Sequence, residues 1–336
     1  MRRPPRFWWQ PERSAAATML WPVSAVWGAV AGRKMDRAPQ LRPPVPVVCV
    51  GNFVAGGAGK TPTCITLARL ARGRGLKPGF VTRGYGGSAK GPLLVDPAVH
   101  DAATVGDEPL LLAAAAPTVI GGDRAAGAKR LLEEGVTLII MDDGFQNPSL
   151  AKDLSLVCVD GEAGIGNGMV TPSGPLRAPL AVQLRKADAV VLIGEGARSE
   201  PLVRVAARAG RQVLRATLKP VRVREFRKEP LLAFAGIGRP EKFFASLEAA
   251  GATVKRRMPF PDHHRFSEDD AATLLARAEK ETLRLVTTEK DMARLAGAAG
   301  KRGALREAAT AFAIALEFEN PAAVGEMLEA AALKVR

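Results

Sequence analysis

The sequence predicts an α/β protein: a doubly wound parallel sheet, a second and smaller α/β domain behind it, and an N-terminal membrane-associated helix ahead of both. Three observations carry that prediction. From Val47 onward, short continuously apolar runs alternate with helical stretches, the pattern of parallel strands buried on both faces. The alternation is interrupted by a charged connector, Lys219 to Glu229, and then begins again. The first forty residues follow neither pattern. With 336 residues the chain is long for a single core, so the expected division is 1–40 for the helix, 41–218 for the first α/β domain, and 219–336 for the second, with the last helix free to return to the first.

Composition narrows the function. Apolar residues make up 47% and the formal charge is +14, so the chain is globular and expects an anionic neighbour: a nucleic acid, an anionic membrane surface or a polyphosphate. Aromatics are only 5% and gather at the N-terminus instead of interleaving with basic residues, which argues against a single-stranded nucleic-acid platform. Cys49, Cys64 and Cys158 are odd in number and widely spaced, and read as reduced, buried thiols of a cytosolic protein.

In the N-terminal segment Arg2, Arg3, Arg6 and Arg13 surround Phe7-Trp8-Trp9, an uncharged run from Ser14 to Gly32 carries Trp21, Pro22 and Trp27, and Arg33, Lys34 and Arg37 follow. A secretory signal conflicts with the nucleotide loop that comes soon after. A spanning helix is barely long enough and has positive charge on both flanks. A helix lying in the membrane interface places tryptophan at headgroup depth and arginine on anionic lipid, and a helix packed on the protein's own core is the further alternative.

Beyond the proline-rich link Leu41 to Pro46, the run Val47 to Val50 predicts the first strand. Helices are expected at Thr61–Arg72, Pro109–Ala116 and Asp123–Glu134, and strands at Gly79–Thr82, Thr118–Ile120, Leu138–Met141, Leu154–Val159, Ala189–Ile193 and Gln212–Leu218. Gly161 to Pro179 is a Gly/Pro-rich loop too long for a simple connector, and loops of that length in a compact domain are usually functional or disordered. In the second alternation, strands are expected at Leu231–Ala235, Thr253–Arg257, Leu283–Thr287 and Ala311–Phe318, with helices at Pro240–Ala250, Ser267–Glu281 and Pro321–Leu333.

The chemistry begins after the first strand, at Gly56-Gly57-Ala58-Gly59-Lys60-Thr61-Pro62. Glycines let backbone N–H groups approach phosphate oxygens, and the helix that follows points its positive end the same way. Lys60 would reach the outer phosphates and Thr61 would ligate Mg²⁺, as in the phosphate-cradling loop of P-loop nucleotide enzymes; Val54 stands where the general pattern has its first glycine. Asp142 and Asp143 end a buried strand, where a carboxylate can hold Mg²⁺. Asp107 and Glu108 open a helix, and the plain reading of such acids is dipole compensation. His263 and His264 sit on a loop before the capping-box-like Ser267 and Asp270; a histidine there can be a solvated loop residue or a base for a hydroxyl. Thr82-Arg83-Gly84-Tyr85 can clamp an anionic substrate or form a glycine turn.

Taken in order, these motifs resemble the tetraacyldisaccharide 4'-kinase family, through Gly56 to Pro62, Arg83-Gly84-Tyr85-Gly86, Gly106-Asp107-Glu108-Pro109, Asp142-Asp143-Gly144-Phe145-Gln146, Gly174-Pro175-Leu176-Arg177, Phe234-Ala235-Gly236-Ile237, Asp262-His263 and Thr288-Glu289-Lys290-Asp291. The family's loop also lacks the first glycine. The resemblance implies transfer of the γ-phosphoryl of ATP, with Mg²⁺, to the 4'-hydroxyl of a lipid disaccharide 1-phosphate, at the cytoplasmic face of the inner membrane, by a peripheral or monotopic protein with no obligatory protein partner. It implies a cleft between the two domains, with Asp107 as base and His263 as its orienting partner. Gly56, Gly57, Ala58, Gly59, Lys60 and Thr61 would hold ATP, with Arg83 and Tyr85 lining the site, and Thr61, Asp142 and Asp143 would organise the metal. Two positions depart from the family: Ala178 replaces a metal-side glutamate after Pro-Leu-Arg, and Asn147 replaces a histidine after Gly-Phe-Gln. A membrane-surface ATPase of the partitioning type shares Gly-Gly-x-Gly-Lys-Thr but carries lysine where Ala55 stands. A GTPase-like module would need more than the loose likeness of Thr288-Glu289-Lys290-Asp291 to a guanine-reading motif.

Overall fold

The computed structural model describes residues 4–10, 12 and 14–335; Arg2, Arg3 and Arg13 of the basic N-terminal cluster lie outside them. Helix α1 (Ala15–Met35) leads into β1 (Val47–Asn52), α2 (Lys60–Arg72), β2 (Pro78–Thr82), the short β3 (Leu93–Leu94), α3 (Ala102–Val105), α4 (Asp107–Ala113), β4 (Thr118–Ile120) and α5 (Arg124–Leu132). Then come β5 (Leu138–Asp142), β6 (Leu154–Asp160), α6 (Leu180–Lys186), β7 (Ala189–Ile193), α7 (Glu200–Arg208) and β8 (Gln212–Pro220). The second set is β9 (Leu231–Ala235), α8 (Pro240–Ala249), β10 (Val254–Pro259), α9 (Glu268–Lys280), β11 (Arg284–Thr288), α10 (Glu289–Arg294), α11 (Gly300–Ala308) and β12 (Ala309–Phe312), closed by β13 (Ile314–Phe318) and α12 (Pro321–Leu333).

Two sheets result. The larger has the order β13-β8-β7-β6-β1-β5-β2-β4-β3, parallel except for β3 and β13 at its edges; the smaller has the order β10-β9-β11-β12 and is wholly parallel. Because β1 lies between β5 and β6 while β2 lies beyond β5, the winding reverses at the centre, where the carboxyl ends of the strands open a crevice. Alternation explains the burial. Val48 and Val50 face one core with Leu67 of α2, Leu112 of α4 and Leu328 of α12, whereas Val47 and Cys49 face the other with Leu131 of α5, Leu184 of α6 and Leu202 of α7. Cys49, Cys64 and Cys158 are buried free thiols within these layers.

One expected element is two. The apolar run Ala311 to Phe318 breaks at Ala313: β12 completes the small sheet beside β11, and β13 crosses to pair antiparallel with β8 in the large one. Phe312 is buried in the small core, and Leu316 and Phe318 in the large, so both halves are apolar for different reasons. The connector is shorter than its charge suggests, since β8 continues through Pro220 and Phe226 is buried. Strand β3 and helices α3, α6, α7, α10 and α11 fall in stretches to which the sequence reading gave no element.

Helix α1 has two faces. Ser14 caps it, its side chain accepting from the Ala17 N–H, and Pro22 is accommodated in its interior. Ala17, Ser24, Gly28, Gly32 and Met35 are buried; Ser24 Oγ donates to the Val170 carbonyl at 2.7 Å, and a Cβ on Gly28 would sit 3.4 Å from the Pro179 ring. Met19, Trp21, Val23, Val26, Trp27 and Val30 are exposed on the rest of the surface. By length and composition it is the one described helix able to cross a membrane.

Close approach of β1 to the turn after β5 depends on Gly51, where an added Cβ would lie 2.3 Å from the Phe145 Cβ. Gly51→Ala is expected to lower stability by about 2 kcal/mol, the range of core overpacking. Gly122→Ala, with open space around it, should change stability by less than about 0.5 kcal/mol; urea denaturation compares them.

Candidate active site

The glycine loop joins β1 to α2 at the centre of the crevice. Gly56 (φ +120°) and Gly59 (φ +77°) adopt backbone that side chains resist, and a Cβ on Gly59 would meet Ile193 Cδ1 at 2.6 Å. Nothing stands within 4 Å of a Cβ built at Gly56 or Gly57, so their backbone faces open space where an anion can enter. Asn52 Nδ2 donates to the Gly56 carbonyl at 2.8 Å and fixes the loop's curvature. Ala58 is buried, Lys60 opens α2 with its side chain mostly covered, and Thr61 is buried beside it.

The long loop 161–179 backs this cradle. The Ala55 N–H donates to the Pro175 carbonyl at 2.8 Å, the Arg177 N–H donates to the Phe53 carbonyl at 2.9 Å, and Arg177 Nε donates to the Val54 carbonyl at 3.1 Å. Val54 therefore acts as an edge residue paired with Leu176, a place where glycine is not required.

At the end of β5 the two aspartates diverge. Asp142 is buried, accepting from Thr82 Oγ1 at 3.0 Å, with Cys64 Sγ 3.6 Å away. Asp143 turns outward through a positive φ of 48°, pairing with Arg177 Nη1 at 2.7 Å and Lys60 Nζ at 3.7 Å. Burial, with the charges of Glu108 and Asp143, pushes the Asp142 carboxyl up to about 6 although Lys60 opposes it. Such an acid, with negative charge that its neighbours do not offset, beside a hydroxyl and a second carboxylate, is an all-oxygen donor set suited to a hard divalent cation. Among the described residues no three acidic, histidine or cysteine side chains converge as a metal cage. Ala178 is buried and offers no ligand; Asn147 caps its own turn, accepting from the Ser149 N–H at 2.8 Å.

Across the crevice stands a second group, assembled from both sheets. Asp107 opens α4 behind Gly106, whose φ of +92° lets the chain pass the Tyr85 carbonyl, and the aspartate is 5% exposed. His263, with φ +57° and its N–H donating to the Gly236 carbonyl, places Nδ1 3.5 Å from Asp107 Oδ2. His264 points elsewhere: it bonds Asp270 at 2.9 Å and stacks on Phe260, so it braces the start of α9. Tyr85 is exposed, its ring 5.6 Å from that of His263, and Arg83 is exposed on the same loop.

Sequence reasoning gave no role to three cations of the crevice. Arg294 is buried and pairs with Asp107 and Asp291; Lys290 pairs with Glu108 at 2.5 Å; Arg177 carries the Asp143 contact. The first two lie four apart on α10, a spacing that puts both on one helix face and was readable as a docking stripe. Burial pushes Asp107 up, but the bond it accepts from His263 when that ring is protonated, and the charges of Arg294 and Lys290, outweigh it and hold the carboxyl well below the usual range.

A family model described as tetraacyldisaccharide-1-P 4'-kinase matches residues 16–333. A tetraacyldisaccharide 4'-kinase of Agrobacterium fabrum is 49% identical over 99% of this chain and 95% of its own length, and one of Methylobacterium sp. is 52% identical over 88% and 90%. Among solved structures, LpxK from Aquifex aeolicus, an "apo" form in complex with ATP, is similar with a TM-score of 0.73 at 24% identity, covering 94% of this chain and 99% of that one.

Arg177→Ala removes the charge-assisted bonds that brace the glycine loop. Its KM for ATP is expected to rise about tenfold, with Arg177→Lys recovering part of the loss in steady-state assays.

Proposed function

This chain belongs to the tetraacyldisaccharide-1-P 4'-kinase family, and on that premise we propose how its residues perform the ATP-dependent phosphorylation of the 4'-hydroxyl of a tetraacyldisaccharide 1-phosphate in lipid A biosynthesis. The observation that carries the reading is the Asp107–His263 pair, brought from two lobes to the crevice that holds the glycine loop. We take the lobes as residues 41–218 and 219–336, a division supported by the two separate sheets, with β8 running on to Pro220 and β13 and α12 packing back on the first.

ATP binds with its phosphates on the N–H groups of Gly56 to Thr61 and at the positive end of α2. Lys60 neutralises the outer phosphates. Thr61, Asp142 and Asp143 would hold Mg²⁺, which would supply positive charge against the transferring group. Asp107 accepts a hydrogen bond from the acceptor hydroxyl and aims its oxygen at the γ-phosphorus, with His263 as its partner. Phosphoryl transfer needs alignment and charge neutralisation more than covalent catalysis, and these groups supply both. Arg83 and Tyr85 flank the entrance, where the sugar of the acceptor arrives.

An amphiphilic acceptor is met at a membrane surface. The exposed apolar side of α1, with Arg33, Lys34 and Arg37 at its end, suits an interfacial helix on the anionic, cytoplasmic leaflet of the inner membrane.

Incubation of the purified protein with ATP, Mg²⁺ and detergent-dispersed tetraacyldisaccharide 1-phosphate is expected to yield a bis-phosphorylated lipid by mass spectrometry; ATP hydrolysis without it would point to a switch ATPase instead. Asp107→Ala and His263→Ala should each lower kcat by roughly 10²- to 10⁴-fold with little change in ATP affinity, and unchanged turnover in either would remove that residue from the mechanism. Deleting residues 1–36 should move the protein from the membrane to the soluble fraction.

A further inference from the structure

Arg294 is the most fully engaged cation between the two lobes. Nη1 donates to the Gly236 carbonyl at 2.6 Å and to Asp291 Oδ1 at 2.7 Å, while Nη2 donates to Asp107 Oδ2 and lies 3.5 Å from His263 Nδ1. A guanidinium has no lone pair, so the imidazole nitrogen that faces it is the one bearing no proton in the neutral ring. The ring proton then sits on Nε2, which faces Asp262 Oδ1 at 3.9 Å, and the Nδ1 lone pair is left beside Asp107.

We propose that Arg294 is a positioning residue for the phosphoryl transfer, clamping Asp107 and fixing the His263 tautomer so that the hydroxyl proton, guided by Asp107, comes to rest on His263 Nδ1. This rests on the function argued above. The acceptor oxygen forms a bond to the γ-phosphorus, the bond from γ-phosphorus to the β,γ-bridging oxygen breaks with its electron pair leaving on ADP, and the hydroxyl proton passes by way of Asp107 to the imidazole. In a loose transition state the phosphoryl group is largely detached before the nucleophile bonds, so Asp107 serves by orienting the hydroxyl more than by basicity.

The surrounding charges agree. Asp107 faces Arg294, Lys290 and His263; His263 faces Asp107, Asp262 and Arg294, with the Tyr85 ring alongside; Glu108 is occupied by Lys290 and Asp291 by Arg294. The bond to Asp107 raises the His263 imidazole above its ordinary 6.5, burial and Arg294 oppose the rise, and the Asp107 carboxyl is held low. Only the neutral ring accepts a proton, so the rate falls as pH drops through the raised His263 value. Without the guanidinium charge that value climbs further, and the acid limb of the profile moves to higher pH.

The test is the pH dependence of kcat for the full chain with ATP and the dispersed lipid acceptor. Arg294→Gln is expected to lower kcat near neutrality about tenfold and to shift the acid limb up by about one pH unit, the scale set by a neighbouring charge, with the KM for ATP within about twofold. Arg294→Lys, which keeps the charge, should return the limb toward the wild-type position. Equal loss of kcat at every pH with an unmoved limb would overturn the proposal and leave Arg294 a packing residue. Should the glutamine variant fail to fold, the lysine variant decides: a limb near the wild-type position with reduced kcat supports the clamp, and wild-type kcat at every pH overturns it. A wild-type profile with no acid limb, or one that persists in His263→Asn, is a separate failure, that of the Asp107–His263 reading itself.

Discussion

The crevice is organised by one ion pair, Arg177 to Asp143. Its carboxylate ends the central strand pair and its guanidinium belongs to the loop 161–179, so the pair ties that loop to the sheet. The same arginine reaches the Val54 carbonyl, and the loop's backbone holds Ala55. On its outer side the loop receives Ser24 of α1 and the Trp8 indole, which donates to the Pro172 carbonyl. A segment that looks like an overlong connector is therefore a plate, with the glycine loop on one side and the apolar helix on the other.

Charge also specifies how the lobes meet. Asp107 with Arg294 and Glu108 with Lys290 join α4 to α10, and Asp160 joins Arg239 and Lys242 of α8, the lysine at 3.1 Å. The first pair is almost wholly buried, and a buried charge deprived of its mate is far more costly than the intact pair is stabilising. Such an interface tolerates one register. It also makes the Asp107–His263 contact conditional, since Asp107 belongs to one lobe and His263 to the other.

What was legible in the sequence was what local pattern encodes. Continuous apolar runs located the buried strands, and Gly56 to Thr61 located the turn from β1 into α2, because strand burial and glycine backbone freedom act within a few residues. The β12 to β13 crossing was hidden because Phe312 and Leu316 are equally apolar and nothing local says which core each joins. Arg294 was hidden because its partner is 187 residues away. The choice between His263 and His264 turns on a single positive φ at the former, which sends neighbouring rings in different directions. Ser24, Gly28 and Gly32, spaced four apart, did mark the packed side of α1, a signal overshadowed by its tryptophans.

The return of β13 beside β8 has a mechanical consequence. The chain leaves the large sheet along β8 and comes back along β13, and the two are hydrogen-bonded from Ile314 opposite Pro220 to Phe318 opposite Ala216. A two-stranded ribbon bends readily out of its own plane but resists shear within it, because sliding one strand along the other breaks every rung at once. The small sheet is thus mounted on a two-stranded leaf whose soft direction lies out of its own plane.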